Sequence, residues 1–201
     1  MNTLHAMETV LAALAERPEI YMVGIGGIPG SGKSTLAKAL ASSISGAVVV
    51  PMDGYHFPRC RLDAEGLRRR GAPHTFDRDT FRNDMACLHR SHRGVFPAYS
   101  HAEKDPKASA INVTADTPLV IIEGIYVLMS DWKCERFFDL RVFLDCDADE
   151  AVKRLTRRHV ESGTESTIEE GRHRAMTNDL SNAHAILADG CRERAHILLV
   201  S

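Results

Sequence analysis

Apolar residues along the chain fall into short unbroken runs separated by stretches with helical spacing. "IYMVGI" (20–25), "AVVVPMD" (47–53), "LVIIEG" (119–124), "DLRVFLDC" (139–146) and "HILLV" (196–200) are the runs. A strand that is apolar on both faces belongs inside a parallel sheet covered by helices. Between the runs, Leu36, Ala37, Leu40, Ala41 and Ile44 recur at i, i+3 and i+4, predicting a helix from about Lys33 to Ser43. Phe81, Met85 and Leu88 predict a second over 79–92. Asp147 caps a third that runs to about Ser162 and stops at Gly163. "TIEE" (167–170) has capping-box spacing and opens a long helix to about Ala188. Leu4, Met7, Leu11 and Leu14 mark an amphipathic helix at the start. The fold class predicted is α/β, a five-stranded parallel sheet flanked by helices. Two stretches rich in Gly, Pro and charge break the pattern: the one after Asp53 predicts an irregular excursion over the active face, and the one from Gly94 a second long excursion that leaves room for short strands. The length suits one domain over 1–201.

Composition narrows the class. The net charge is −2, which argues against a nucleic-acid-coating protein. The five cysteines are scattered and form no C-x-x-C pair, as expected of a reduced, cytoplasmic protein. The first residues lack the basic start and long apolar run of a secretion signal, and no run is long enough to cross a membrane. Cys87, His89 and His92 cluster at a helix end without a fourth ligand, so they predict no metal site.

"GIPGSGKS" (27–34) fits G-x-x-x-x-G-K-[ST], and it sits between a predicted strand and a predicted helix. Gly27, Pro29, Gly30, Ser31, Gly32, Lys33, Ser34 and Thr35 are therefore the expected binding loop for ATP or GTP. Backbone N–H groups and the positive helix end cradle phosphates. Lys33 adds a charge, and the Ser34 hydroxyl suits Mg²⁺. No N-K-x-D guanine signature and no L-S-G-G-Q transporter signature is present.

"GGIPGSGKST", "MDGYHF", "RRGAPHTFD", "PAYSH", "IIEGIYVL" and "RLTRRHVESG" follow in that order. Together they resemble the uridine kinase, pantothenate kinase and phosphoribulokinase group of P-loop kinases, over about residues 20–180. Short bacterial members described as nucleoside-, pantothenate- or fructose-transport kinase-like look most similar. The resemblance implies transfer of the γ-phosphoryl of ATP, with Mg²⁺, to an alcohol of a small molecule. It implies Asp53 as general base at a strand end and Glu123 as a Mg²⁺ ligand. Tyr99 and His101 match a substrate-side motif, and Tyr55, His56 and Asp77 are further substrate candidates; Asp77 equally suits a helix cap. Arg154, Arg157 and Arg158 share one helix face. The resemblance makes 153–170 a lid and Arg157 and Arg158 its catalytic cations, with substrate-side segments at 53–78 and 95–112. Dimers are common in the group, so a homodimer is an expectation. "RCRLDAEGLRRR" (59–70) reads as a solvated basic loop rather than an anion site, and Asn178 and Asp179 receive no role.

Other readings stay open at this point. A nucleoside monophosphate kinase would need no base. A nucleotide-dependent regulator or transport-associated protein would transfer nothing. A kinase of nucleic-acid ends sits poorly with the charge balance.

Overall fold

The computed structural model describes residues 3–100 and 102–200. Helix α1 (Thr3–Glu16) precedes β1 (Met22–Gly27), whose loop runs into α2 (Lys33–Ser43). Strand β2 (Val48–Pro51) ends in a 3-10 turn, Met52–Tyr55. An irregular stretch holding α3 (Ala64–Arg68) follows, then α4 (Arg78–Ser91) and an antiparallel hairpin of β3 (Gly94–Ser100) and β4 (Asp105–Val113). Strands β5 (Val120–Glu123) and β6 (Leu140–Asp145) lead to α5 (Ala148–Glu161), α6 (Ile168–Arg174), α7 (Leu180–Ala188) and β7 (Ile197–Val200).

Five strands form one sheet in the order β2-β5-β1-β6-β7, every pair parallel. Strands β1 and β5 are buried at every position, which is why their sequences are unbroken apolar runs. Successive side chains serve opposite faces. Met22 joins Val50, Ile122, Phe81 and Trp132 on one side. Val23 and Ile25 join Val10, Leu36, Leu40 and Val142 on the other. Helix α4 is held by Phe81, Met85 and Leu88, all fully buried, at roughly 1.5–3 kcal/mol for each such side chain. No helix among the described residues is long and apolar enough to cross a membrane.

The predicted caps are present. Asp147 accepts from the N–H groups of Asp149 and Glu150, and Thr167 and Glu170 form a reciprocal capping box. Two helices depart from expectation. In α1 the packed stripe is Ala6, Met7, Val10, Leu11 and Leu14, while Leu4 is exposed. The helix lies on α2, where the Ser43 hydroxyl meets Met7 Sδ at 3.4 Å. The long helix predicted over 167–188 is interrupted by a π turn, Ala175–Asp179, that buries Asn178 and Asp179.

Candidate active site

Register brings the chemistry to one edge of the sheet. Strand β5 lies between β2 and β1, and Glu123 pairs with Pro51 on one side and Ile25 on the other. Asp53, just past Pro51, and the loop after Gly27 therefore leave the sheet beside Glu123. The loop needs its glycines. Gly27, Gly30 and Gly32 have φ of 153, 80 and 97°, and a Cβ on Gly27 would lie 2.2 Å from the Leu144 carbonyl oxygen. Gly32 stands at the N-cap of α2 with no side-chain cap, so the first-turn N–H groups keep their donors for an anion.

Lys33 is buried, and its Nζ donates to the Ile28 carbonyl at 2.8 Å. Burial lowers its pKa to about 8, helped by the Arg158 charge and opposed by Glu123 and Asp53. Glu123 is buried too, and its Oε1 accepts from the Ser34 hydroxyl at 3.0 Å. Burial and the neighbouring Asp53 carboxylate push its pKa up to about 7, against the pull of Lys33. A buried carboxylate raised in this way, beside a second acid and a hydroxyl, is relieved by a divalent cation. Ser34 and Glu123 thus fit Mg²⁺. Among the described residues no cluster of three His, Cys, Asp or Glu side chains could hold a metal alone. That suits a cation that takes one or two protein ligands and completes its shell with phosphate and water.

A cleft of about 550 Å³ opens from this edge. Pro29, Gly30, Lys33, Ser34, Asp53 and Glu123 form one end. His56 and Tyr99 line it further out, their ring centroids 5.6 Å apart. His56 stacks on Phe76 at 3.8 Å, and burial lowers its pKa, opposed by Asp53 and reinforced by Arg70. On the other side of the loop a second groove of about 710 Å³ is lined by Ser31, Gly32 and Thr35, with Arg154 and Arg157 above them. Gly30, Lys33, Ser34 and Arg158 border both spaces.

Not every expected residue reaches the cleft. Tyr55 turns into the core, where its hydroxyl donates to Asp84 at 2.8 Å. Asp77 caps α4, accepting from the Thr80 N–H at 3.0 Å, and does not line the cleft. Arg157 leaves its side chain 74% exposed, 3.6 Å from Glu161. His101 lies outside the described residues.

The structure also adds residues. Two arginines of the basic stretch read as solvated, Arg59 and Arg70, line the cleft, joined by Lys104 and Arg174. The π turn explains how Arg70 is held. Arg174 Nη2 and Asn178 Nδ2 donate to the Arg70 carbonyl at 3.3 and 3.1 Å. Tyr126 Oη and Asn182 Nδ2 donate to the Gly71 carbonyl at 2.7 and 3.1 Å. Asp179 pairs with His159 at 2.7 Å, tying the turn to α5 next to Arg158. A π turn inserts one residue and re-aims those after it. The sequence signal was the "NDLSNA" stretch, in which Asn178, Asp179 and Asn182 are buried although polar, while Ser181 stays exposed.

Known proteins agree with this picture. The phosphoribulokinase / uridine kinase family pattern matches residues 22–178. A Schizosaccharomyces pombe protein named "Putative uridine kinase C227.14" is 31% identical over 84% of this chain and 79% of its own length. "ATP-dependent kinase YFH7" of Lachancea thermotolerans is 30% identical over 84% of this chain; the match spans only 63% of that longer protein. The crystal structure of a "putative fructose transport system kinase" from Silicibacter sp. TM1040 is 32% identical, superposes with a TM-score of 0.80 and covers 100% of this chain and 99% of its own. With the loop, the strand-end acids and the sheet order in place, the chain belongs to the phosphoribulokinase / uridine kinase family of P-loop kinases.

Proposed function

We propose that this kinase transfers the γ-phosphoryl group of ATP to a hydroxyl of a small metabolite held in the cleft beside Asp53. The carrying observation is that Asp53 lines the same cleft as Lys33 and Glu123, close enough for its charge to act on both. Phosphates lie on the loop N–H groups and on Lys33. Ser34 and Glu123 would hold Mg²⁺, which when bound would offset charge on the phosphate oxygens. Asp53 accepts the proton of the attacking hydroxyl, a contribution worth about 10²–10⁴-fold. His56 and Tyr99, which line the same cleft, position the acceptor. Arg158, which borders both spaces, neutralises charge spreading over the phosphoryl oxygens as 153–170 closes. Closure excludes water that would otherwise take the phosphoryl group. The remaining catalysis is positioning and electrostatics. His101 stays a substrate candidate from its motif alone, Arg157 is assigned to the rim of the groove, and Tyr55 and Asp77 to the scaffold.

Relatives carrying uridine kinase and fructose transport kinase names support an alcohol acceptor. The test is ADP release from Mg·ATP across nucleosides, sugars, sugar acids and sugar phosphates. Release that depends on one acceptor class supports the reading. Tight nucleotide binding with no acceptor-dependent release across the panel contradicts it and favours a nucleotide-dependent regulator.

A further inference from the structure

The cleft is more cationic than phosphoryl transfer from ATP requires. Lys33 and Arg158 stand at the phosphoryl end, and the outer wall adds Arg59, Arg70, Lys104 and Arg174. Among the described residues that line the outer wall there is one acid, Asp179, and that is spent on His159. Arg70 is the most deeply set, its side chain 10% exposed. One carboxylate answers it: Nη2 donates to Asp105 at 3.0 Å and to the Phe57 carbonyl at 3.2 Å. Its Nε and Nη1 are buried with no hydrogen-bond partner among the described residues. Arg174 is alike, donating from Nη1 to Glu165 at 3.3 Å while its Nε has no such partner. A buried guanidinium with unused donors costs free energy unless an anion or acceptor meets them. The fold nevertheless keeps Arg70 in place, fixing its own carbonyl and that of Gly71 with four side-chain donors. The guanidinium lies 5.9 Å from the Tyr99 ring centroid, on the wall shared with His56. Planar and always charged, it suits two-point contact with a carboxylate or phosphate.

We infer that the acceptor is an anionic alcohol, bearing a carboxylate or phosphate group that Arg70 receives, with Arg174 as the second donor. The inference rests on the reading that this cleft takes the acceptor. The anion docks away from the reacting hydroxyl, so that Asp53 meets an alcohol whose far end is already fixed. Asp105 acts as the internal competitor for Arg70, holding its charge until the acceptor arrives.

Equilibrium binding tests this without turnover. The full chain is first saturated with Mg²⁺ and a non-hydrolysable ATP analogue, so that the loop cannot take the probe. Inorganic phosphate, acetate, gluconate and glucitol 6-phosphate are then titrated against neutral glucitol. The expected result is that gluconate or glucitol 6-phosphate binds at least about tenfold more tightly than glucitol. Arg70→Gln should lower that affinity by about 10–100-fold, and Arg70→Lys should restore part of it. Asp105→Asn keeps Arg70 and still accepts the Arg59 N–H, but releases the competing charge, so it should tighten anion binding by about tenfold. A role for the Arg70–Asp105 pair in folding alone would leave that variant's anion affinity unchanged. Anions that bind no better than glucitol, or bind equally well to Arg70→Gln, overturn the inference. Acceptor-dependent ADP release is scored separately. Release with a neutral acceptor and no anion preference sinks this inference alone. Anion binding that needs Arg70 but comes without any acceptor-dependent release sinks the kinase reading and with it the anion's role as acceptor, leaving Arg70 as an anion site only.

Discussion

Replacing Glu123 by Gln should stabilise the metal-free protein while abolishing its activity. The folded state holds this carboxyl at a pKa of about 7 against an ordinary 4.5. That displacement corresponds to about 3 kcal/mol. The sign follows from the direction. A raised pKa means that the folded state favours the protonated form. The group's stabilising contribution is therefore complete below pH 4.5 and is lost as pH rises through 7. Glutamine carries no charge at any pH and still offers an oxygen to the Ser34 hydroxyl. Lys33 loses a neighbouring carboxylate, which takes back part of the gain, leaving about 1–3 kcal/mol. For a chain of this length that is about 3–10 °C in Tm at pH 8 with a chelator present, shrinking to almost nothing at pH 4.5. Thermal denaturation of the two proteins at both pH values is the assay. A Glu123→Gln protein that melts at or below the wild type at pH 8 would refute the reasoning. So would a gap of equal size at both pH values.

Arg158→Gln should lower kcat by at least about 10²-fold, whereas Arg157→Gln, at a solvent-facing side chain, should stay within about threefold by steady-state kinetics. Tyr126→Phe removes the 2.7 Å bond to the Gly71 carbonyl and should cost about 0.5–1.5 kcal/mol in denaturant unfolding, while raising the acceptor KM and not the ATP KM. In Gly54→Ala the new Cβ would stand 2.5 Å from the Pro97 carbonyl oxygen, at the register shift of the β3–β4 hairpin. The hairpin must lift from the Asp53 turn, with a cost of about 1–3 kcal/mol and a higher acceptor KM.

The parts of this molecule legible in its sequence are those governed by repetition or by a single demanding geometry. Burial on both faces left β1 and β5 as unbroken apolar runs, and only glycine satisfies the loop after β1. Where several identical side chains compete, sequence has no means of choosing. Arg68, Arg69 and Arg70 are adjacent, yet Arg68 pairs with exposed Glu65, Arg69 reaches the Thr177 carbonyl, and Arg70 alone is buried in the cleft. The contacts that decide this come from Asn178 and Asn182, more than a hundred residues away along the chain. The π turn was equally hidden, because a capping box and helical spacing are the same whether or not one residue is inserted later. Tyr55 lies two positions from Asp53, but the 3-10 turn sends the pair in different directions, one into the core and one into the cleft.

The most direct measurement is the kinetics of Asp53→Asn with the acceptor that the panel identifies. Asparagine keeps the shape of the side chain and removes its ability to take a proton. The expected result is a fall in kcat of about 10²–10⁴-fold with the affinity for Mg·ATP nearly unchanged. A kcat within about tenfold of the wild type would contradict general-base transfer to a hydroxyl and point to an acceptor that carries no proton to remove.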